Sequence, residues 1–201
     1  MIADHLASRP CLGEHRGVTN AEVAGRYRKV ADTFTARVHG VPADGWDAPA
    51  PCEGWVARDI IRHLTSWMPG YLLGSVGVEV PAIPSVDDDP VGAWDAMNTA
   101  LQAAVDDPEI AARPMGMQGE QVPFAEALSA FGIGDVLVHT WDLARATGQD
   151  ETLDLDEVRR LMESSAAMDE VMRGEHFGPK VAVPDDADEQ TKLIAFTGRH
   201  P

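Results

Sequence analysis

The chain has 201 residues, with 16 Lys and Arg against 33 Asp and Glu for a formal charge of −17, and 44% of it is hydrophobic, the make-up of one soluble globular domain. A chain of this length buries roughly 70% of the surface it exposes when unfolded, so it needs neither a disulfide framework nor a structural metal merely to fold, and a metal held by it would serve function. The negative charge repels phosphate backbones and anionic lipid, which argues against nucleic acid and membrane as partners. The two cysteines, Cys11 and Cys52, make neither a disulfide scaffold nor a Cys-x-x-Cys zinc motif. The most apolar stretches, near Tyr71 to Ile83 and Phe131 to Val138, are short and interrupted by Glu79 and Asp135. A cytoplasmic location is the expectation.

Residues 1–18 contain Pro10, Gly13 and Gly17, show no clean period, and are expected to form a disordered leader. Residues 19–201 are expected to form one domain. Thr19-Asn20-Ala21-Glu22 has capping-box spacing, and Val23, Tyr27, Val30, Phe34 and Val38 then mark the apolar face of a first helix that Gly40 and Pro42 stop. From Gly45 to Trp55 the chain reads as an ordered loop pinned by two tryptophans. A second helix follows from Val56, with Ile60, His63, Leu64 and Trp67 on one face, ending at Pro69-Gly70.

A linker rich in Pro, Gly and Asp runs from Gly74 to Asp88, after which Asp89-Pro90 resembles an N-cap with proline at the first helical position. Val91, Trp94, Met97, Leu101 and Val105 form a third stripe. A long fourth helix places Phe124, Leu128, Phe131, Asp135, Val138, His139, Asp142 and Ala146 on one face and stops at Gly148. A fifth helix near Asp156 to Met172 has Val158, Leu161, Met162 and Met168 as its buried side, and the tail from Gly174 reads as an acidic loop with a short apolar end at Leu193, Ile194 and Phe196. No stretch alternates like a strand, so the expectation is all-α: a four-helix bundle with an additional C-terminal helix and a loop-like tail.

The fourth helix carries the anomaly. Asp135 and His139, at i and i+4, stand about 6 Å apart along the axis and face one point. His63, on the inward side of the second helix, is the natural third member. Two imidazoles and a carboxylate suit zinc, nickel or iron, and three protein ligands leave a position for water or substrate. Against this, seven histidines among 33 acids in 201 residues give about 1.1 such i,i+4 pairs by accident, and the chain has two, Asp59/His63 and Asp135/His139. Periodicity alone is served equally by a metal and by a buried Asp–His hydrogen bond, since an unpaired carboxylate in an apolar stripe costs several kcal/mol.

Other residues carry weaker signals. Asp59 suits a ligand, a partner orienting His63, or a helix-dipole residue. Asp142 reads equally as a partner of His139 or a solvated charge. Arg145 reads as a charge balance ahead of an anion clamp, and Cys52 as a structural thiol ahead of a nucleophile. His39 ends the first helix, and the histidines at 5, 15, 176 and 200 lie in loops or tails. There is no phosphate-cradling glycine loop, dinucleotide fingerprint or serine elbow.

Pro51-Cys52-Glu53-Gly54-Trp55 leading to Asp59 and His63, then Asp135-x-x-x-His139-Thr140-Trp141-Asp142 through Gly148, resembles the actinobacterial metal-binding proteins related to the N-terminal domain of mycothiol-dependent maleylpyruvate isomerase. The ending is similar too, with Phe177-Gly178-Pro179, Val183 to Ala187 and Leu193 to Arg199. The resemblance implies a DinB-like four-helix bundle with a three-ligand metal site, and it carries ligation onto His63, Asp135 and His139. The isomerase has a glutamate where this chain has Asp135, and the chain reads as too short for the isomerase's second domain. The expected function is therefore a metal-dependent transferase in which mycothiol or a similar low-molecular-weight thiol attacks a small electrophile. The alternatives are a non-enzymatic metal- or small-molecule-binding bundle and a metal-assisted hydrolase that needs no thiol. The partners are the thiol and the electrophile, with the chain a monomer or a homodimer through its fifth helix.

Overall fold

The computed structural model describes residues 18–117, 119–167, 169, 173 and 177–201; the expected leader lies outside them apart from Val18, which is exposed. Helix α1 spans Asn20–His39, and its start is the anticipated capping box: the Thr19 N–H donates to Glu22 Oε2 at 2.7 Å, while the Glu22 N–H donates to Thr19 Oγ1 at 3.2 Å. Helix α2, Ala57–Met68, follows a loop in which Trp46 is buried and Trp55 packs on the core. At Pro69 the α-helical ladder cannot continue and the chain takes a π-helical turn over Pro69–Gly74. The linker follows, irregular as expected, with Val76 and Val86 buried beneath it.

Helix α3, Pro90–Asp106, begins at Asp89, whose side chain accepts the Gly92 N–H at 2.8 Å. A one-turn helix α4, Pro108–Ala111, leads into strands β1, Pro114–Met117, and β2, Glu120–Pro123, which pair antiparallel with Met115 opposite Val122. The chain is mostly helical, as expected, and this small hairpin is the one sheet among the described residues. Each strand has only four residues and buries one of them well, Met115 in β1 and Val122 in β2, too little alternation to stand out from loop.

The expected fourth helix is one helical path in three parts: α5, Phe124–Ala127, a π-helical turn over Leu128–Gly132, and α6, Ile133–Thr147. It ends at Gly148, whose φ of 68° is the left-handed cap that glycine accepts without strain. Helix α7, Leu155–Ala167, buries Val158 and half-buries Leu161 and Met162; Met168 and Met172 of the expected fifth helix lie outside the described residues. The tail is corrected. Helix α8 forms over Glu189–Phe196, capped by Asp188 accepting the Thr191 N–H at 2.7 Å, and buries Leu193, Ile194 and Ala195.

Helices α1 and α2 each pack on both α3 and α6, and α7 packs on α6 and α8. The core between them is tightly buried and includes several aromatic rings. Tyr27, Phe34, Trp94, Leu64, Met97 and Val136 are all fully buried, and the Phe34 and Trp94 rings meet edge-on at 4.4 Å. The buried polar tips are satisfied: the Tyr27 hydroxyl donates to Asn98 Oδ1 at 2.9 Å and the Trp94 indole N–H to Thr35 Oγ1 at 2.8 Å. Among the described residues, no helix is long and apolar enough to cross a membrane.

Candidate metal centre

The packing of α2 against α6 sets the site. Gly132 sits close to α2 there: a Cβ on it would stand 3.2 Å from Met68 Cε, and 2.7 Å from Leu128 Cδ1 of its own helical path. One turn further on each helix, His63 Nε2 lies 3.0 Å from Asp135 Oδ2, and His139 Nε2 lies 3.4 Å from Asp135 Oδ1. Donor atoms of His63, Asp135 and His139 all fall within 4.8 Å of one another. The structure thus brings together the three residues that the sequence singled out. His63 and Asp135 keep 34% and 27% of their side-chain surface exposed while His139 keeps 5%, so the cluster opens to solvent on one side.

The surroundings fix the ring and carboxylate orientations. Trp67, on α2, donates its indole N–H to Asp135 Oδ2 at 3.0 Å, the oxygen that also meets His63. Trp55 stacks nearly parallel on His139, with centroids 5.9 Å apart, and tilts over His63 at 5.4 Å. Behind His139, Nδ1 lies 2.8 Å from Oδ2 of Asp142, which is fully buried. Asp142 is in turn clasped by Arg199, which donates from Nε to Oδ1 at 2.6 Å and from its terminal nitrogen to Oδ2 at 2.7 Å. The same guanidinium reaches Cys52 Sγ at 3.4 Å.

Electrostatics follow from this arrangement. Burial alone would raise Asp135, but His139 and His63 beside it hold it well below the usual carboxylate range. Burial alone would lower His139, but the Asp135 charge and the hydrogen bonds to Asp135 and Asp142 push it up to about 9. Burial first, then the Asp142 charge, pushes the Cys52 thiol up to about 12, so it is protonated at neutral pH. Cys52, His139 and Asp142 also have donor atoms within 4.8 Å of one another, but the Arg199 guanidinium occupies both oxygens of that carboxylate, which makes the cluster a salt-linked one and disfavours a cation there.

The remaining candidates resolve individually. Asp59 stays out of the cluster: it accepts the Val56 N–H at 2.9 Å at the start of α2 and pairs with Arg62, the helix-terminus role. Asp142 is the partner of His139, not a solvated charge. Arg145 balances charge, bonded to Glu151 at 2.5 and 2.8 Å over the Trp141 ring. His39 pairs with Asp95 at 3.0 Å. The sequence reading missed two contributors. Trp67 reads as an ordinary stripe residue, and Arg199 sits 57 positions from Asp142 with no periodic pattern to tie them.

The profile of the mycothiol maleylpyruvate isomerase N-terminal domain matches residues 27–72, the stretch that carries His63. Two relatives from Mycobacterium tuberculosis, the uncharacterized proteins Rv0738 of strain H37Rv and MT0763 of strain CDC 1551, are each 34% identical over 184 residues, covering 86% of this chain and 95% of theirs. No solved structure matches the chain. The chain belongs to one family with these mycobacterial proteins, and the match at residues 27–72 relates it to the mycothiol maleylpyruvate isomerase N-terminal domain.

Proposed function

We propose that this relative of the mycothiol maleylpyruvate isomerase N-terminal domain is a DinB-like four-helix bundle that holds a divalent cation with His63, Asp135 and His139, and transfers a low-molecular-weight thiol of the mycothiol type to a small electrophile. The observation that carries the reading is the convergence of two imidazole nitrogens and a carboxylate oxygen, from two helices, within 4.8 Å on a side open to solvent. That donor set fits zinc best and admits nickel or iron. When bound, such a cation supplies a Lewis-acid position that lowers the pKa of a coordinated water or thiol.

The chain's own residues supply orientation. Asp142 accepts from His139 Nδ1 and leaves Nε2 facing the cluster, while the Trp67 indole N–H holds one oxygen of Asp135 and leaves the other directed at His139. The stacked Trp55 ring covers one face of the His139 imidazole. Cys52 is held as a neutral thiol, which makes it a poor nucleophile, and this favours an attacking sulfur other than that of Cys52. Arg58 and Arg62, both on α2, are paired with Asp47, Asp59 and Asp87. The partners are then the thiol and the electrophile, and the protein works in the cytoplasm as a monomer or homodimer.

The test uses mycothiol and monochlorobimane. Thiolate sulfur bonds to the bimane carbon, chloride leaves with the electron pair, and the thiol proton goes to solvent. Metal-loaded protein is expected to accelerate adduct formation, and chelation or His139→Ala to return it to the uncatalysed rate with helicity intact. Acceleration that survives both contradicts the reading. Turnover of an ester indifferent to added thiol points to hydrolysis, and stoichiometric metal with no turnover points to a binding role.

A further inference from the structure

Helix α8 ends at Phe196, and the chain then reverses sharply. Gly198 takes a φ of +91°, its N–H donates to the Ala195 carbonyl at 3.1 Å, and the Arg199 N–H donates to the Ile194 carbonyl at 3.2 Å. The Thr197 carbonyl accepts the Gly178 N–H at 3.2 Å, and a Cβ on Gly198 would stand 2.7 Å from Gly178 Cα. This turn has no room for a side chain, and it aims Arg199 back into the molecule. The Arg199 side chain is 12% exposed and both oxygens of the fully buried Asp142 accept from it, at 2.6 and 2.7 Å.

A bidentate clasp of this kind fixes the plane of a carboxylate as well as its charge. Without it, Asp142 keeps His139 and the weak Cys52 thiol donor, at 3.6 Å, as its hydrogen-bond partners among the described residues. Its plane is then free to turn, and His139 turns with it. We propose that Arg199 is a positioning residue for the metal site: through Asp142 it holds the His139 ring so that Nε2 is presented to the space shared with His63 and Asp135. The C-terminal turn is thereby part of the site although it contributes no ligand.

This rests on the reading that the trio holds a metal, and the experiment separates the two. Cobalt(II) is titrated into the metal-free full chain and into Arg199→Met and Arg199→Lys variants, with helicity measured alongside and the visible absorption of the bound cobalt recorded. Loss of a partner that orients a ligating histidine typically weakens metal binding about 10–100-fold, and that loss, with an altered cobalt spectrum, is expected for Arg199→Met. Arg199→Lys keeps the charge but not the two-point clasp and is expected to fall between Met and wild type. If Arg199→Met fails to fold, Arg199→Lys decides alone. Folded variants that bind cobalt as tightly as wild type with the same spectrum overturn the relay and leave the metal reading standing. A wild-type chain that takes up no cobalt overturns both.

Discussion

His139 has both ring nitrogens committed, Nδ1 to Asp142 and Nε2 toward Asp135, in a position where 5% of its side chain meets solvent. Its pKa in the folded, metal-free chain is pushed up to about 9 from the ordinary 6.5. The folded state therefore holds this proton more tightly than the unfolded state. The resulting stability is complete below about pH 6.5 and is lost as pH rises through about 9. The Tm of the metal-free protein is expected to fall between about pH 6 and about pH 9.5, and the fall to be smaller in His139→Gln; equal slopes for the two proteins would contradict the assignment. His63, Asp135 and His139 were legible in the sequence because each puts a polar group on an apolar stripe at helical spacing. Asp142 was legible only as an ambiguity, since spacing cannot say whether a carboxylate one turn from a histidine faces inward. Arg199 and the Trp67 indole were not legible. Their roles come from contacts across the fold, which no local period records.

Among the elements, the helices with long stripes were readable and the short ones were not. Capping at Thr19, the Asp89-Pro90 start and the Gly148 stop all mark ends where the structure has them. Strands β1 and β2 have four residues each and the final helix α8 has eight, too few for a period to register against an acidic, loop-like composition. The π-helical turns escape pattern reading because they shift the phase of a stripe without breaking it. They also fall close to the site, one after Met68 and one before Ile133, as helical irregularities often do. The C-terminal turn gives this scale its prediction. Gly198→Ala forces a side chain into the left-handed region and against Gly178, and should cost about 1–3 kcal/mol, or roughly 2–12 °C in Tm. Gly25→Ala, on α1 with no heavy atom within 4 Å of the new Cβ, should instead raise stability by up to about 1 kcal/mol. Thermal melts that rank the two variants the other way would contradict the turn geometry.

For the molecule as a whole, a formal charge of −17 lies over a core closed by α1, α2, α3 and α6, with α7 and α8 packed beside it. Such a field draws cations toward an open cluster of nitrogen and carboxylate donors and repels free polyanions. The 34% identity to the mycobacterial relatives extends over 86% of the chain, so the likeness covers the fold around the site as well as the profile match at residues 27–72. The proposed role makes His63, Asp135 and His139 a site for one divalent ion. Its most direct test is the metal content per chain of the protein purified without an affinity tag, measured by elemental analysis beside Asp135→Ala. Close to one divalent ion per chain is expected in the wild type, and its loss in a variant that stays helical. A wild-type protein that carries no metal, takes up none on dialysis against zinc, and melts at the same temperature with and without it would rule out the metal site and leave Asp135 and His139 as a buried polar pair.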